Sequence, residues 1–168
     1  MKETYTTERL NLNVVSKEDF EFIFKLVNSE GWIRFIGDRH VRTSDDAKAY
    51  LKRIMDNLNV VYWKVSLKET KEPIGIITFI KRDYLNHHDI GFAFLPEFSG
   101  KGYAYEASKK VLEDLLQNGD HEVIVATTLA ENTNSIKLLS KLGFDYSQKV
   151  NDGDEELLLY SITAYAFL

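Results

Sequence analysis

The chain has 168 residues, of which 44% are hydrophobic and 28% charged, and this predicts one soluble domain over residues 1–168. The net charge of −5 argues against a nucleic-acid partner and weakly favours a partner that carries amines. The chain has no cysteine, which excludes disulfides and thiolate nucleophiles, and without a signal peptide or a long apolar run we expect a cytoplasmic protein with no membrane partner.

The first half of the chain predicts a strand, two helices and a hairpin. "RLNLNVV" (9–15) alternates apolar and polar residues, which is typical of a half-buried strand. Ser16 and Asp19 predict a helix start, and "RTSDDAKAYLKRIMDNL" (42–58) predicts a second helix capped by Thr43 or Ser44. Two β-rich runs separated by the polar "KETKE" (68–72) predict a hairpin.

The second half alternates strands and helices. "HDIGFAFL" (88–95) predicts a strand, followed by a helix from about Gly102 to Gln117 that Asn118 and Gly119 end. "HEVIVATTL" (121–129) predicts a central strand, "NTNSIKLLSKLGF" (132–144) a short helix closed by Gly143, and "ELLLYSITAY" (156–165) a last strand. The order β-α-α-β-β-β-α-β-α-β predicts an α/β fold with a mixed sheet, parallel in the second half and antiparallel at the hairpin.

The turn before the predicted helix at 102–117 has the properties of an anion site. "SGKGYA" (99–104) offers successive backbone N–H groups with no bulky side chain at Gly100 or Gly102, and Lys101 adds a positive charge. Such a turn can hold a pyrophosphate. It matches neither the Walker A pattern, because Gly102 follows Lys101, nor the dinucleotide fingerprint, because Tyr105 takes the last glycine position. A turn that uses glycine only for its dihedral freedom is the alternative.

A second segment adds to this turn. Ser99-Gly100-Lys101-Gly102-Tyr103-Ala104 resembles the Q/R-x-x-G-x-G/A loop of the GNAT N-acetyltransferase superfamily, and "NTNSIKLLSKLGF" resembles its later N-x-x-S/A…G-F segment. "TERLNL", "IGFAFLPEF" and "GKGYAYEA" are similar to the branch that includes ribosomal-protein alanine N-acetyltransferases. The resemblance runs from about Thr7 to Tyr160.

The resemblance implies a fold and a cosubstrate. The fold would be a mostly antiparallel sheet with one parallel pair and helices on both faces. Acetyl-CoA would bind with its pantetheine arm along the 92–95 strand and its pyrophosphate on the glycine loop. The implied binding residues are Phe94, Leu95, Gly100, Lys101, Gly102, Tyr103, Ala104 and Asn132.

The implied reaction is direct attack by a primary amine on the acetyl carbonyl, which a backbone N–H near Phe94 or Leu95 would polarise. Leu139 stands where many members of the family carry a tyrosine that protonates the leaving thiolate. Ser135 is then the remaining donor by resemblance. Its alternative role is to satisfy a free N–H group at the helix start. Ser99 also departs from the usual Gln, Arg or aromatic residue, without removing the backbone N–H groups.

Asp89 is the candidate general base, because it begins the strand that leads to the thioester. The alternative for Asp89 is an ion pair at the mouth of that strand. His87 and His88 are adjacent, so at most one points inward, and surface positions in a turn are the favoured interpretation. The four histidines show no metal-ligand spacing, so we expect no metal site.

The acceptor side is predicted in the first third of the chain. "WIRFIGDRH" (32–40) either lines an acceptor groove, with Asp38 attracting a cationic amine, or is a packed loop anchored by Trp32 and Phe35. The acceptor would be a protein N-terminus or a small amine, and the chain a monomer or homodimer. The alternative function is a non-catalytic acyl-CoA sensor or interaction module with the same fold.

Overall fold

The fold is an eight-stranded mixed sheet with helices packed against it. The computed structural model describes residues 1–118 and 120–167. The strands are β1 (Thr4–Thr6), β2 (Leu10–Val14), β3 (Val60–Leu67), β4 (Pro73–Ile80), β5 (Asp89–Phe94), β6 (Val123–Thr128), β7 (Asp145–Asp152) and β8 (Glu155–Thr163). The helices are α1 (Phe20–Val27), α2 (Glu30–Phe35), α3 (Ser44–Asp56), α4 (Tyr103–Gln117), α5 (Thr133–Leu142) and α6 (Ala164–Phe167).

The strand order is β1-β2-β3-β4-β5-β6-β8-β7. Strands β5 and β6 pair in parallel, and the other neighbours among the described strands pair antiparallel. This confirms the prediction of a mostly antiparallel sheet with one parallel pair.

The core lies on both faces of the sheet. Trp63 and Ile77 belong to the cluster beneath α4 and α5, whereas their chain neighbours Tyr62 and Ile76 belong to the cluster beneath α1, α2 and α3. Alternate strand residues point to opposite faces, so the central strands are covered twice. The prediction of helices on both faces is confirmed.

The predicted helix boundaries hold where a local signal marks them. The carboxylate of Asp19 accepts a hydrogen bond from the N–H of Ser16 at 2.8 Å. Thr43, and not Ser44, caps α3, since its hydroxyl accepts from the N–H of Asp46 at 3.1 Å. Helix α4 ends at Gln117, and Gly119, predicted to help end it, lies outside the described residues.

Four elements were not predicted: β1, α2, β7 and α6. The prediction of parallel pairing in the second half is wrong for the last two strands, β7 and β8. Strand β7 pairs antiparallel with β8, and β8 pairs antiparallel with β6. The crossover through α5 therefore reaches the edge strand β7, and β8 turns back to fill the place beside β6.

Within the described residues, no helix is both long and apolar enough to cross a membrane. The same residues contain no group of three or more His, Cys, Asp or Glu side chains arranged to hold a metal ion.

Candidate active site

Strands β5 and β6 pair at their first residues and then part. The pairing consists of one Cα pair, Asp89 with Val125, and the N–H of Val125 donates to the carbonyl of His88 at 3.0 Å. Two residues further along β6, the N–H of Thr127 donates to Oδ1 of Asp89 at 3.2 Å. A side-chain oxygen thus takes the place that a main-chain carbonyl would have in a continued ladder, and the sheet opens beyond it.

The open edge of β5 exposes its own backbone groups. On the opposite edge, β5 remains paired with β4 up to Leu95, whose N–H donates to the carbonyl of Ile74 at 2.9 Å. Hydrogen-bonded residues alternate along an antiparallel ladder. The N–H and C=O groups of Phe92 and Phe94 therefore point away from β4, into the gap between β5 and β6.

Asp89 lies at the base of this gap and is only 3% exposed. Its Oδ2 accepts a hydrogen bond from Nε of Arg82 at 2.5 Å. Burial raises the pKa of Asp89 above its usual range, while Arg82 and the N–H of Thr127 oppose that rise. The ion pair that is the alternative for Asp89 is therefore present, and the role of Asp89 as a general base stays a prediction.

Two cavities adjoin at the gap. The first, which we call the Arg82 cavity, has a volume of about 470 Å³ and includes Arg82, Asp89 and Tyr62 in its lining. The second, the loop cavity, has a volume of about 690 Å³ and is lined by Lys141 and by the 99–105 turn except for Lys101. Both are lined by Trp32, Phe35, Ile36, Phe92, Ala93, Asn132 and Ser135.

The glycine turn adopts a conformation that few other residues accept. Gly100 has a φ of 73° and Gly102 a φ of 81°, and Gly102 is the N-cap of α4. A Cβ at Gly100 would meet no atom within 4 Å, so the space above the turn is open. The glycines are needed for their positive φ, and they also leave the backbone N–H groups open to approach. The interpretation as an anion site and the interpretation as a turn that needs glycine for its dihedral angles are therefore compatible.

Arg9 fixes the turn to the start of the sheet. Its Nη1 donates to the carbonyl of Lys101 at 3.0 Å, and its Nε donates to Oε2 of Glu106 at 2.7 Å. The hydroxyl of Thr7 donates to the other oxygen of Glu106 at 2.5 Å. Burial raises the pKa of Glu106, but these hydrogen bonds outweigh it and hold the pKa below its usual value. The carboxylate therefore stays ionised and keeps the turn in place.

The loop cavity gathers six of the eight predicted cofactor residues. They are Phe94, Gly100, Gly102, Tyr103, Ala104 and Asn132. Leu95 is not among them, because its side chain is buried beneath the helices of the opposite face and its N–H is bonded to Ile74. Lys101 is exposed and turned toward the ring of Phe98, 5.6 Å from its Nζ.

The family sequence model described as "Acetyltransferase (GNAT) domain" matches residues 9–145. The chain belongs to the GNAT acetyltransferase family. This confirms, at the level of the family, the predictions of an N-acetyltransferase and of acetyl-CoA as the cosubstrate.

Individual proteins agree with the assignment. The chain is 29% identical over 138 residues to the uncharacterized N-acetyltransferase YnaD of Bacillus subtilis (strain 168), covering 82% of this chain and 80% of YnaD. A GNAT-family acetyltransferase structure from Bacillus anthracis superposes with a TM-score of 0.81 at 24% identity, over 96% of this chain and 99% of that one.

RimL, a ribosomal L7/L12 alpha-N-protein acetyltransferase in complex with coenzyme A, superposes with a TM-score of 0.82 at 13% identity. The alignment covers 95% of this chain and 96% of RimL. At these identities the two structures show the fold.

Ser135 of this acetyltransferase has its hydroxyl available. Its N–H donates to Oδ1 of Asn132 at 3.2 Å, so Asn132, and not Ser135, caps α5. The hydroxyl of Ser135 makes no hydrogen bond to any described residue, and Ser135 lines both cavities. Leu139, where many members of the family carry tyrosine, is buried and lines the Arg82 cavity.

Several residues that line this acetyltransferase site carry no signal, or only a weak one, in the sequence. Arg53 and Arg82 line the Arg82 cavity, together with a tyrosine pair, Tyr50 and Tyr62, whose hydroxyls are 3.3 Å apart. Helical spacing within "RTSDDAKAYLKRI" could have placed Tyr50 and Arg53 on one face, three residues apart. No local signal identifies Arg82, whereas Arg39 belongs to the segment 32–40, for which an acceptor groove is one of two interpretations.

The other candidates on the acceptor side lie elsewhere. The carboxylate of Asp38 binds Arg42 and accepts from the N–H of His40 at 2.7 Å, and these contacts lower its pKa to about 2. Asp38 does not line the Arg82 cavity, and within the described structure neither His87 nor His88 lines either cavity. The ring of His88 stacks on Phe79 with centroids 4.8 Å apart.

Proposed function

We propose that the protein transfers the acetyl group of acetyl-CoA to a primary amine by direct attack in a ternary complex, and that residues 1–168 act as one domain. The observation that carries this proposal is the open edge of β5, where two cavities adjoin. One cavity ends at the glycine turn, and the other contains a buried carboxylate. A thioester laid along β5 would present its carbonyl where the cavities adjoin.

The cofactor side is argued from backbone geometry. The N–H groups of the turn at 100–104 would bind the pyrophosphate at the start of α4, where the helix dipole favours negative charge. Lys141 lines the loop cavity, with its Nζ 4.3 Å from the centre of the Tyr105 ring, and adds a positive charge. The pantetheine amides would bond to the free backbone groups of Phe92 and Phe94, as an added strand does.

The reaction follows from the groups where the cavities adjoin. The amine nitrogen attacks the thioester carbon, a C–N bond forms, the C–S bond breaks, and coenzyme A leaves as a thiolate. The N–H of Phe92 or Phe94 would stabilise the oxyanion. These two replace Leu95 in that role, because its N–H is bonded to Ile74. Asp89 would accept a proton from the ammonium group of the acceptor, which frees the lone pair that attacks, and Ser135 would donate a hydrogen bond to the sulfur as it gains charge.

Ser135→Ala should lower kcat about fivefold and leave the acetyl-CoA Kd unchanged, because the hydroxyl acts on charge that develops only as the C–S bond breaks. The measurement is kcat with acetyl-CoA and with an acetyl thioester of a more acidic thiol, whose thiolate needs less stabilisation. The decrease in kcat caused by Ser135→Ala should be smaller with the second acetyl thioester. Ser140→Ala, at an exposed position on the same helix, is the matched control. Equal deficits with both donors would remove Ser135 from the leaving-group step.

Acetyl-CoA at about 100 times its Kd should raise the Tm by roughly 5–10 °C, since binding at that ratio stabilises by about 2.7 kcal/mol. AMP and ADP at the same concentration should have little effect, because they lack the pantetheine arm that lies on β5. A Tm that stays unchanged up to millimolar acetyl-CoA would exclude the loop cavity as its site.

A non-catalytic acyl-CoA sensor is the second candidate. Two observations favour it: Leu139 stands in place of a proton donor, and both carboxylate oxygens of Asp89 are already hydrogen-bonded. Release of free thiol with a panel of primary amines separates the two functions. Turnover with any amine excludes the sensor, and acetyl-CoA binding without turnover excludes the enzyme.

A further inference from the structure

The charge of the Arg82 cavity is opposite to that of the whole chain. Its charged lining residues are Arg39, Arg53, Arg82 and one carboxylate, Asp89. Asp89 is bonded to Arg82, so the positive charges of Arg39 and Arg53 are left without compensation inside the lining. An acceptor with only positive charges would be repelled at this cavity.

Arg39 and Arg53 differ from the other arginines of the chain. Within the described residues, neither has a carboxylate oxygen within 4.0 Å. Every other arginine has such a partner: Arg9, Arg34, Arg42 and Arg82. The two arginines whose charge is not compensated therefore lie on the same cavity.

The side chain of Arg53 lies beside an aromatic residue of the lining. The guanidinium carbon of Arg53 lies 5.8 Å from the centre of the Tyr50 ring. Tyr50 is in turn hydrogen-bonded to Tyr62. Burial raises the pKa of Tyr62, and the positive charges of Arg39 and Arg82 oppose that rise. Arg39 lines the same cavity as Tyr62. Both arginines are exposed to solvent at the mouth.

A third donor is free in the same lining. Trp32 is buried, and its Nε1–H has no hydrogen-bond acceptor among the described residues. Buried donors in proteins are nearly always paired. A ligand that brings acceptor oxygens into this cavity would satisfy donors that the protein itself leaves open.

We propose that the acceptor is a small primary amine that also carries a carboxylate or phosphate group, and that Arg39 and Arg53 bind this anionic group. The inference rests on the proposed function and names the substrate class of that same site. The planar guanidinium matches carboxylate and phosphate oxygens with paired hydrogen bonds. The amine end would then reach toward Asp89, at the base of the cavity.

The dimensions of the cavity fit a small molecule. Its volume of about 470 Å³ lies within the range of roughly 300–1,000 Å³ that is usual for small-ligand sites. An amino acid or an aminoalkyl phosphate has the required pair of groups: an amine to be acetylated and an anion a few bonds away. Acetylation removes the positive charge and leaves the anion on the arginines.

The test compares acceptors that differ only in the anionic group. Amino acids are assayed against their carboxamides, and phosphoethanolamine against ethanolamine, with spermidine as the purely cationic amine. We expect kcat/KM at least tenfold higher for the charged member of one pair, and the pair that responds distinguishes carboxylate from phosphate. Arg39→Gln and Arg53→Gln should each reduce that preference about fivefold, mainly through KM, with the acetyl-CoA Kd unchanged. Arg34→Gln, an exposed arginine outside both cavities, is the matched control.

Two results would overturn this inference while leaving the proposed function intact. They are equal or better turnover of the uncharged members or spermidine, and acetylation of a peptide N-terminus but of none of the small anionic amines.

Binding gives a second measurement that does not depend on turnover. Inorganic phosphate should raise the Tm of the protein saturated with acetyl-CoA, because it binds to Arg39 and Arg53. Acetyl-CoA already fills the pyrophosphate site, so the rise would not come from phosphate bound there. Arg39→Gln combined with Arg53→Gln should abolish that rise. A rise that is equal in the wild type and in this double variant would reject the two arginines as the anion site, whether or not the protein turns over.

Discussion

Gly102→Glu is expected to weaken acetyl-CoA binding by between about 10- and 100-fold. Gly102 is the N-cap of α4 with a φ of 81°, and a Cβ there would meet Nη2 of Arg9 at 3.4 Å. A side chain strains the turn, and a carboxylate opposes the negative charge of the pyrophosphate. Loss of one or more charge-assisted hydrogen bonds, at about 1.5–3 kcal/mol, gives the stated range. The Kd from calorimetric titration measures it.

Gly153→Glu is the matched control for this substitution. Gly153 also has a positive φ, 59°, and a Cβ there would meet no atom within 4 Å. It lies in the turn between β7 and β8 and lines neither of the two cavities. Both variants carry the same added charge and a similar backbone strain of about 1–2 kcal/mol. If both variants bind acetyl-CoA with the same Kd, the substitution at Gly102 has no effect on binding beyond that of added charge and backbone strain. The turn at 100–104 would then not hold the pyrophosphate.

The parts of the fold predicted from sequence are those that a local pattern determines. Strand alternation at 9–15, the Thr43 cap and the glycine that ends α5 each depend on a few neighbouring residues, and each is present in the structure. Strand β7 lacks such a pattern, since it is an edge strand exposed along almost its whole length. Helix α2 has only six residues, too few to show a helical period.

The candidate site also has one part that local patterns predict and one part that they do not. The predicted residues of its cofactor side lie in two short segments, 92–104 and 132–135, and each segment carries a motif. The Arg82 cavity is assembled from α2, α3, β3, β4 and β5 and the segments beside them, so no short segment contains it. Net charge does not reach this level of detail: a charge of −5 weakly favours a partner that carries amines, whereas the field at a site depends on which side chains surround it. Asp38, the predicted attractor of cations, is neutralised by Arg42.

Asp89→Asn should lower kcat/KM on the order of 100-fold at pH 7, within the range of general-base catalysis, with little change in the acetyl-CoA Kd. The pH dependence distinguishes a base from a structural residue. Asp89 accepts a proton only when ionised, so wild-type kcat/KM should fall as the pH drops through the pKa of Asp89, which burial raises. The variant lacks that group and reacts only with amine that is already deprotonated. Its deficit should therefore shrink steadily as the pH approaches the pKa of the amine.

The ion pair supplies the control for this prediction. Asp89→Asn leaves the partly buried Arg82 without its counter-charge, and breaking such a pair destabilises the fold. Asp89→Asn combined with Arg82→Gln removes both charges and keeps side chains that can hydrogen-bond. The double variant should recover most of the lost Tm but not the lost rate at pH 7. Two results would contradict the prediction: the double variant recovers kcat/KM together with its Tm, or the loss of kcat/KM in Asp89→Asn is the same at every pH. Asp89 would then act only by holding β5 and β6 apart, and the proton of the attacking amine would have to leave by another route.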